Sequence, residues 1–151
     1  MHDDPTRTTP IGLARYAREF YDAAIIVDEK LCLRHGYEMV PSVPVMYLTV
    51  HSIELTLKAF LLFKGVSLTK LKCKYGHDIE KAFSKANELG LEESVKFDPN
   101  EVAVLKTLNV LYSSRQLNYI IKGTKQFPAF GMIRTLAAKM LNTIAPMVGF
   151  R

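Results

Sequence analysis

The chain has no tryptophan and only two cysteines among its 151 residues. Cys32 and Cys73 stand far apart, and neither belongs to a CxxC or Cys/His pair, so the ligand spacing of a zinc module is missing and no metal site is expected. Two lone thiols without an export signal fit a reducing compartment, and the expected location is the cytoplasm. The opening Met1-His2-Asp3-Asp4-Pro5 is too polar and acidic for a signal or transit peptide. There is no glycine-rich phosphate loop, no Ser-His-Asp order and no paired-carboxylate arrangement, so no cofactor is expected and no common catalytic motif is present. The longest apolar run, Pro44 to Phe63, is interrupted by His51, Glu54 and Lys58, which hydrocarbon would not accept, so a membrane span is not expected. The last absence is the most lopsided: no acid follows Glu101.

What is present is one domain's worth of chain, 48% hydrophobic and 23% charged, enough for a single packed core. The net charge of +5 divides as −2 over residues 1–40, +4 over 41–75, −4 over 76–101 and +7 over 102–151. A basic half of this kind concentrates polyanions near the surface; an ordinary solvated basic face is the alternative reading.

The periodicity is helical nearly throughout. A first helix opens with Thr9 as N-cap and Pro10 at the first position. Its stripe runs Leu13, Ala17, Phe20, Ala24, Val27, Leu31 and stops at His35-Gly36, with residues 1–9 a flexible leader. A proline-punctuated loop spans 37–44. The second helix, about Pro44 to Lys64, carries Met46, Val50, Ile53, Leu57 and Phe60 on one face and Leu48, Leu55 and Leu62 nearly opposite. Such a helix must be packed on two sides and sits centrally. A basic connector over 66–76 leads to a third helix that starts at Gly76-His77-Asp78 and ends at Gly90. Asp98-Pro99-Asn100-Glu101 is a capping box with a hydrophobic staple of Phe97 and Val102, opening a fourth helix that ends between Ser113 and Gly123. After Pro128 and Gly131, a fifth runs from Met132 or Ile133 to Ile144 and is limited by Pro146. Residues 1–151 therefore read as one all-α domain, an antiparallel up-and-down bundle of about five helices.

Three features can carry chemistry. His51, Glu54 and Lys58 fall on one edge of the second helix between its apolar faces, so their charges need partners; a buried network that fixes helix packing and a polar pocket for a ligand or a dimer contact are both open. Gly76-His77-Asp78, behind Lys70, Lys72 and Lys74, is either an anion site at a helix start or a glycine turn with a capping aspartate. Tyr112, Arg115 and Tyr119, followed by Lys122, Lys125 and Arg134, interleave aromatics with cations, as phosphate contact and base stacking require. The plainer reading puts the tyrosines in the core.

Three blocks together resemble the HEPN superfamily, the higher-eukaryote and prokaryote nucleotide-binding domains. They are Tyr47-Leu-Thr-Val-His51-Ser-Ile-Glu54-Leu-Thr-Leu-Lys58-Ala-Phe-Leu, then Tyr75-Gly76-His77-Asp78-Ile-Glu-Lys, then the Tyr112–Arg115–Tyr119 region, and the similarity extends over most of 11–145. The resemblance implies a helical bundle, usually a homodimer, often in bacterial defence or toxin–antitoxin settings, where a cognate antitoxin or a nucleotidyltransferase-like protein would be a partner. Many members are metal-independent ribonucleases with an arginine followed four to six residues later by histidine. Here Arg115 suits the arginine, but Tyr119 stands four residues on and no histidine follows His77. A phenol with a pKa of about 10 is a weak base at neutral pH. The expected function is therefore a nucleic-acid- or nucleotide-binding or regulatory module. A divergent endoribonuclease using Arg115 with His51 or His77, and a protein-interaction module without nucleic acid, are the alternatives.

Overall fold

The computed structural model describes residues 7–36, 41–117 and 128–151. Residues 1–6 of the expected leader, part of the proline loop (37–40), Tyr119, Lys122 and Lys125 lie outside the described residues. Every regular element among the described residues is helical: α1 (Pro10–Leu31), α2 (Val43–Phe63), the short α3 (Leu68–Lys70) running into a π-helical turn (Leu71–Tyr75), α4 (Ile79–Glu88), the short α5 (Leu91–Ser94), α6 (Pro99–Ser113) and α7 (Phe130–Met147). The chain is an all-α helical bundle. Five of these helices are the expected ones; the basic connector proves helical too.

Helix starts follow the side chains that satisfy their first N–H groups. Thr9 Oγ1 accepts from the Gly12 N–H at 3.0 Å, and Ser42 Oγ from the Val45 N–H at 3.4 Å. At α6 both halves of the capping box form: Asp98 Oδ1 accepts from the Glu101 N–H at 2.9 Å, and Glu101 Oε1 accepts from the Asp98 N–H at 3.0 Å. Helix ends agree less well with the sequence expectation. Regular α1 stops at Leu31, not at Gly36, because the next apolar residue, Leu33, has no core to meet and is 82% exposed. Helix α7 begins at Phe130 and takes Pro146 into its last turn, since a proline this close to the end removes one bond without breaking what precedes it.

Helix α2 is central: α1, α4, α6, α7 and the π-helical turn all pack on it. Its Met46, Val50, Ile53, Leu57 and Phe60 are buried as expected. The second packed row is a different one. Leu48, Leu55 and Leu62 are only half-buried, whereas Val45, Thr49, Ser52, Thr56 and Ala59 are sealed. These small residues let α1 approach through Ala14, Ala17 and Ala24, and Ser52 Oγ donates across the seam to the Ala17 carbonyl at 2.7 Å. Thr49 and Thr56 spend their hydroxyls on carbonyls four residues back, at 2.7 and 2.8 Å, so the buried row carries no unpaired hydroxyl. Val43–Phe63 is long and apolar enough to cross a membrane by length and composition, but most of its surface is spent inside this bundle.

The end of α6 positions the site. Arg115 N–H bonds to the Tyr112 carbonyl at 3.1 Å and Gln116 N–H to the Leu111 carbonyl at 3.0 Å, the two bonds of a Schellman closure. That closure needs a left-handed residue, normally glycine. Here Arg115 fills it at φ 60°, alone among the described non-glycine residues in having positive φ. Without a glycine to mark it, this end was not legible in the sequence.

Candidate functional site

Positions 47, 51, 54 and 58 follow one another at steps of four, three and four, so Tyr47, His51, Glu54 and Lys58 share an edge of α2. At the centre, Glu54 is 3% exposed. A carboxylate there must be met by hydrogen-bond donors or be protonated. Four groups meet it. Lys58 Nζ lies 2.6 Å from Oε1. His77 Nδ1 lies 3.2 Å from Oε2, His51 Nδ1 lies 3.4 Å from the same oxygen, and the Tyr112 hydroxyl donates to it. Burial pushes the Glu54 pKa up, but the His51 ring N–H, the charge and N–H of Lys58 and the Tyr112 hydroxyl outweigh it, holding the carboxyl at about 2. Tyr112 responds in the opposite sense: burial, then the Glu54 charge and the hydrogen bond to it, raise its pKa far above the ordinary phenol value.

These ionisation states fix the histidine protons. An ionised carboxylate only accepts, so His77 Nδ1 carries hydrogen and its Nε2 is left on the far edge of a side chain that is 60% exposed. His51 Nδ1 is 2.9 Å from the Tyr112 oxygen, whose one proton is already committed to Glu54, so His51 donates as well. The two histidines differ in access. His51 has the edge of Phe20 at 4.5 Å and the face of Tyr47 at 6.2 Å, and only 24% of its side chain is exposed. His77 is the accessible one.

A cleft of about 200 Å³ opens above this hub, lined by Tyr47, His77, Tyr112 and Arg115. Tyr112 and Arg115 come from the last turn of α6 and its closure, Tyr47 from α2, and His77 from the turn before α4. That turn is clamped by Asn109 of α6. Its Oδ1 accepts from the Ile79 N–H at 2.9 Å and its Nδ2 donates to Asp78 Oδ1 at 3.1 Å, while Asp78 Oδ1 also caps α4 by accepting from the Lys81 N–H at 3.0 Å.

The structure thus brings His51, Glu54, Lys58 and His77 into one cluster and sets Arg115 on the rim of the same cleft. Asp78 stands beside it as a helix cap, the plainer of its two readings, and Tyr112 belongs to the core and to the cleft at once. Lys70, Lys72 and Lys74 are exposed on α3 and the π-helical turn that leads into His77, with Lys74 lying 5.7 Å from the Tyr75 ring centroid. Arg134, exposed on α7, does not line the cleft, and its charge acts on Asp28 of α1. Tyr47 and Asn109 were missed as site residues. Tyr47 was detectable at one turn's spacing from His51, and Asn109 as a polar residue inside an apolar helix stripe. Among the described residues no group of three His, Cys, Asp or Glu side chains is arranged to hold a metal ion, and Cys32 and Cys73 are free thiols.

Comparison with protein-family models, characterised proteins and solved structures returned no match to this chain.

Proposed function

We propose that this chain is a HEPN-like helical module, a homodimer that binds RNA or a nucleotide through the cleft between α2 and α6. One observation carries the reading: Arg115 and His77, 38 positions apart, line one cleft with the rings of Tyr47 and Tyr112. A guanidinium is a phosphate donor, and aromatic walls stack bases. Helix α3 and the basic π-helical turn before His77 offer further phosphate contacts through Lys70, Lys72 and Lys74. In a toxin–antitoxin setting its partner is a cognate antitoxin or a nucleotidyltransferase-like protein, and its place of action is the cytoplasm.

A second reading, divergent metal-independent RNA cleavage, has its own support. Glu54 holds the His77 ring by Nδ1, so Nε2 is presented as a proton acceptor on the cleft that Arg115 shares. His77 supplies in space the histidine missing after Arg115 in sequence. In cleavage, Nε2 would take the 2′-hydroxyl proton as the 2′-oxygen bonds to the adjacent phosphorus and the P–O5′ bond breaks. It would return that proton to the leaving 5′-oxygen, giving a 2′,3′-cyclic phosphate and a 5′-hydroxyl, while Arg115 faces the charge gathering on the phosphate.

Both are read from one experiment. A fluorescently labelled RNA hairpin with single-stranded flanks is titrated with the protein at low salt in EDTA, following anisotropy and strand length together. Binding should weaken by about tenfold in Arg115→Ala, the scale of one charge-assisted phosphate contact. Loss of intact strand that disappears in His77→Ala while binding persists establishes cleavage; binding without strand loss leaves the binding module. Wild-type protein that fails to bind at low salt overturns both.

A further inference from the structure

The Glu54 hub uses up most of the hydrogen-bonding groups around the Tyr47–Arg115 cleft. The Tyr112 hydroxyl and His77 Nδ1 both donate to Glu54 Oε2. Lys58 Nζ, 2.6 Å from Oε1, cancels the charge of the carboxylate. Of the four residues that line the cleft, Arg115 is the one standing cation. His77 adds an imidazole whose edge away from Glu54 is open, on a side chain that is 60% exposed. With Nδ1–H pinned to the carboxylate, the neutral ring offers a bare Nε2, and a bare ring nitrogen only accepts.

That asymmetry sorts ligands. A phosphodiester presents acceptors only, so it meets Arg115 well and Nε2 badly. A ribose 2′-hydroxyl is a donor placed next to a phosphate and satisfies both groups, whereas deoxyribose has no such donor. A proton added to Nε2 reverses the preference. Nδ1 keeps its hydrogen and its bond to Glu54 in either state, so the ring takes up the proton without turning. The cleft then holds two cations and donors alone, which suits phosphate whatever the sugar.

We propose, on the binding reading above, that His77 is a proton-operated sugar selector: bare at Nε2 it accepts from the 2′-hydroxyl and favours RNA over DNA, and protonated it grips phosphate and loses that preference. Its neighbours leave the switch to His77. Glu54 is held at about 2 by its donors, and burial raises Tyr112 far above the ordinary phenol value, so neither changes charge in the range tested. Lys58 and Arg115 bring positive charge, and the remaining wall is the ring of Tyr47. Lys74 lies beside the Tyr75 ring, and Asp78 is committed to the cap of α4. His51, the other imidazole of the hub, is turned toward Phe20 and does not line the cleft, so a charge there acts on RNA and DNA alike. The ratio of the two affinities therefore reports Nε2.

The test titrates the full chain with short single strands of oligouridylate in three forms: RNA, DNA and 2′-O-methyl RNA. The DNA lacks the hydroxyl; the methylated strand keeps its oxygen and loses only the hydrogen. Uracil takes up no proton in acid. Anisotropy gives Kd at pH 8 and at pH 5.5, with strand length followed in each sample. At pH 8 RNA should bind at least about threefold more tightly than either other strand, the scale of one hydrogen bond. At pH 5.5 the DNA and methylated strands should tighten by at least about threefold, and the RNA preference should fall to about one. His77→Ala, at an exposed position, should remove the preference at pH 8 and its change with pH. Equal binding of the three strands at pH 8, a preference that persists at pH 5.5, or one that survives His77→Ala overturns the proposal and leaves RNA binding by the cleft standing. No RNA binding at either pH removes the binding reading and this proposal with it.

Discussion

His77 Nδ1 lies 3.2 Å from Glu54 Oε2, joining the turn before α4 to the middle of α2 across 23 positions of sequence. Glu54 is buried and His77 is largely exposed, so the contact runs from core to surface. A polar contact at the surface contributes little by itself. This hydrogen bond has a different character: it fixes one ring nitrogen against an immobile carboxylate and thereby decides which nitrogen the solvent meets. The same carboxylate holds Lys58 and Tyr112, so a change at Glu54 is felt on α2, α4 and α6 together.

Replacing that carboxylate is therefore costly. Glu54→Gln leaves Lys58 buried beside a neutral amide, and loss of one partner from a buried pair costs about 3 kcal/mol or more. The pH dependence gives a second readout. Glu54 titrates at about 2 in the fold against 4.5 as its ordinary value. Through that window the unfolded chain binds a proton that the folded chain refuses, so stability falls as pH falls and is fully present above it. The contribution is on the order of 3 kcal/mol. Urea unfolding at several pH values should show a steep acid limb in the wild type and a flatter one in Glu54→Gln. Equal limbs would show that the carboxylate is not held low by its neighbours.

On the proposed function, Arg115 sets stability against binding. At φ 60° it occupies the left-handed position of a helix closure that glycine takes without strain. Arg115→Gly should stabilise the fold by about 0.5–1 kcal/mol, raising Tm by about 1–4 °C, while RNA binding falls as it does in Arg115→Ala. Thermal unfolding and anisotropy on the same samples check both. A lower Tm would show that the side chain supports the closure and was not retained at the expense of strain.

Much of this was readable from the residues alone. Thr9 and Asp98 announce helix starts because a cap is a local event, set within three residues, whereas Ser42, which caps α2, was passed over inside a proline-punctuated loop. The stripe His51–Glu54–Lys58 was legible for the same reason: spacing on one helix fixes a shared edge. Its partners were not, because Tyr112 and His77 reach Glu54 only through tertiary packing, which a period of 3.6 does not encode. The second buried row of α2 was misread for a related reason. Leu48, Leu55 and Leu62 are more apolar than Thr49, Ser52 and Thr56, but α1 presents alanines, and close approach selected small side chains over large ones. The end of α6 was hidden because an arginine stands where the signal would be a glycine.

The α1–α2 seam yields a prediction that concerns the fold alone. Ser52 Oγ donates to the Ala17 carbonyl at 2.7 Å between helices that meet through alanine and small polar residues. Ser52→Ala removes one buried hydrogen bond and should cost about 1 kcal/mol. Ala17→Leu adds three carbons where Ala17 is fully buried, and should cost about 3 kcal/mol by forcing the helices apart. Denaturant midpoints measure both. If the leucine variant is the milder of the two, the seam is not tightly packed.

Asn109 links the cap of α4 to the cleft without lining it. It receives the Ile79 N–H and donates to Asp78, so its amide ties α6 to the first turn of α4, and His77 is the residue just before that cap. Asn109→Leu keeps the volume but satisfies neither group, leaving a buried N–H unpaired at a cost of about 1–3 kcal/mol. The effect on function should be separable from this. In Asn109→Leu, RNA binding by the folded fraction should weaken by about threefold or more, about 0.7 kcal/mol of lost orientation at His77, whereas Asn109→Asp retains an acceptor for Ile79 but places a second carboxylate against Asp78. If the clamp orients His77, the aspartate variant weakens binding more at high pH than at low pH, where protonation of one carboxyl restores a donor to the other. Unchanged RNA binding in both variants would confine Asn109 to holding the bundle together.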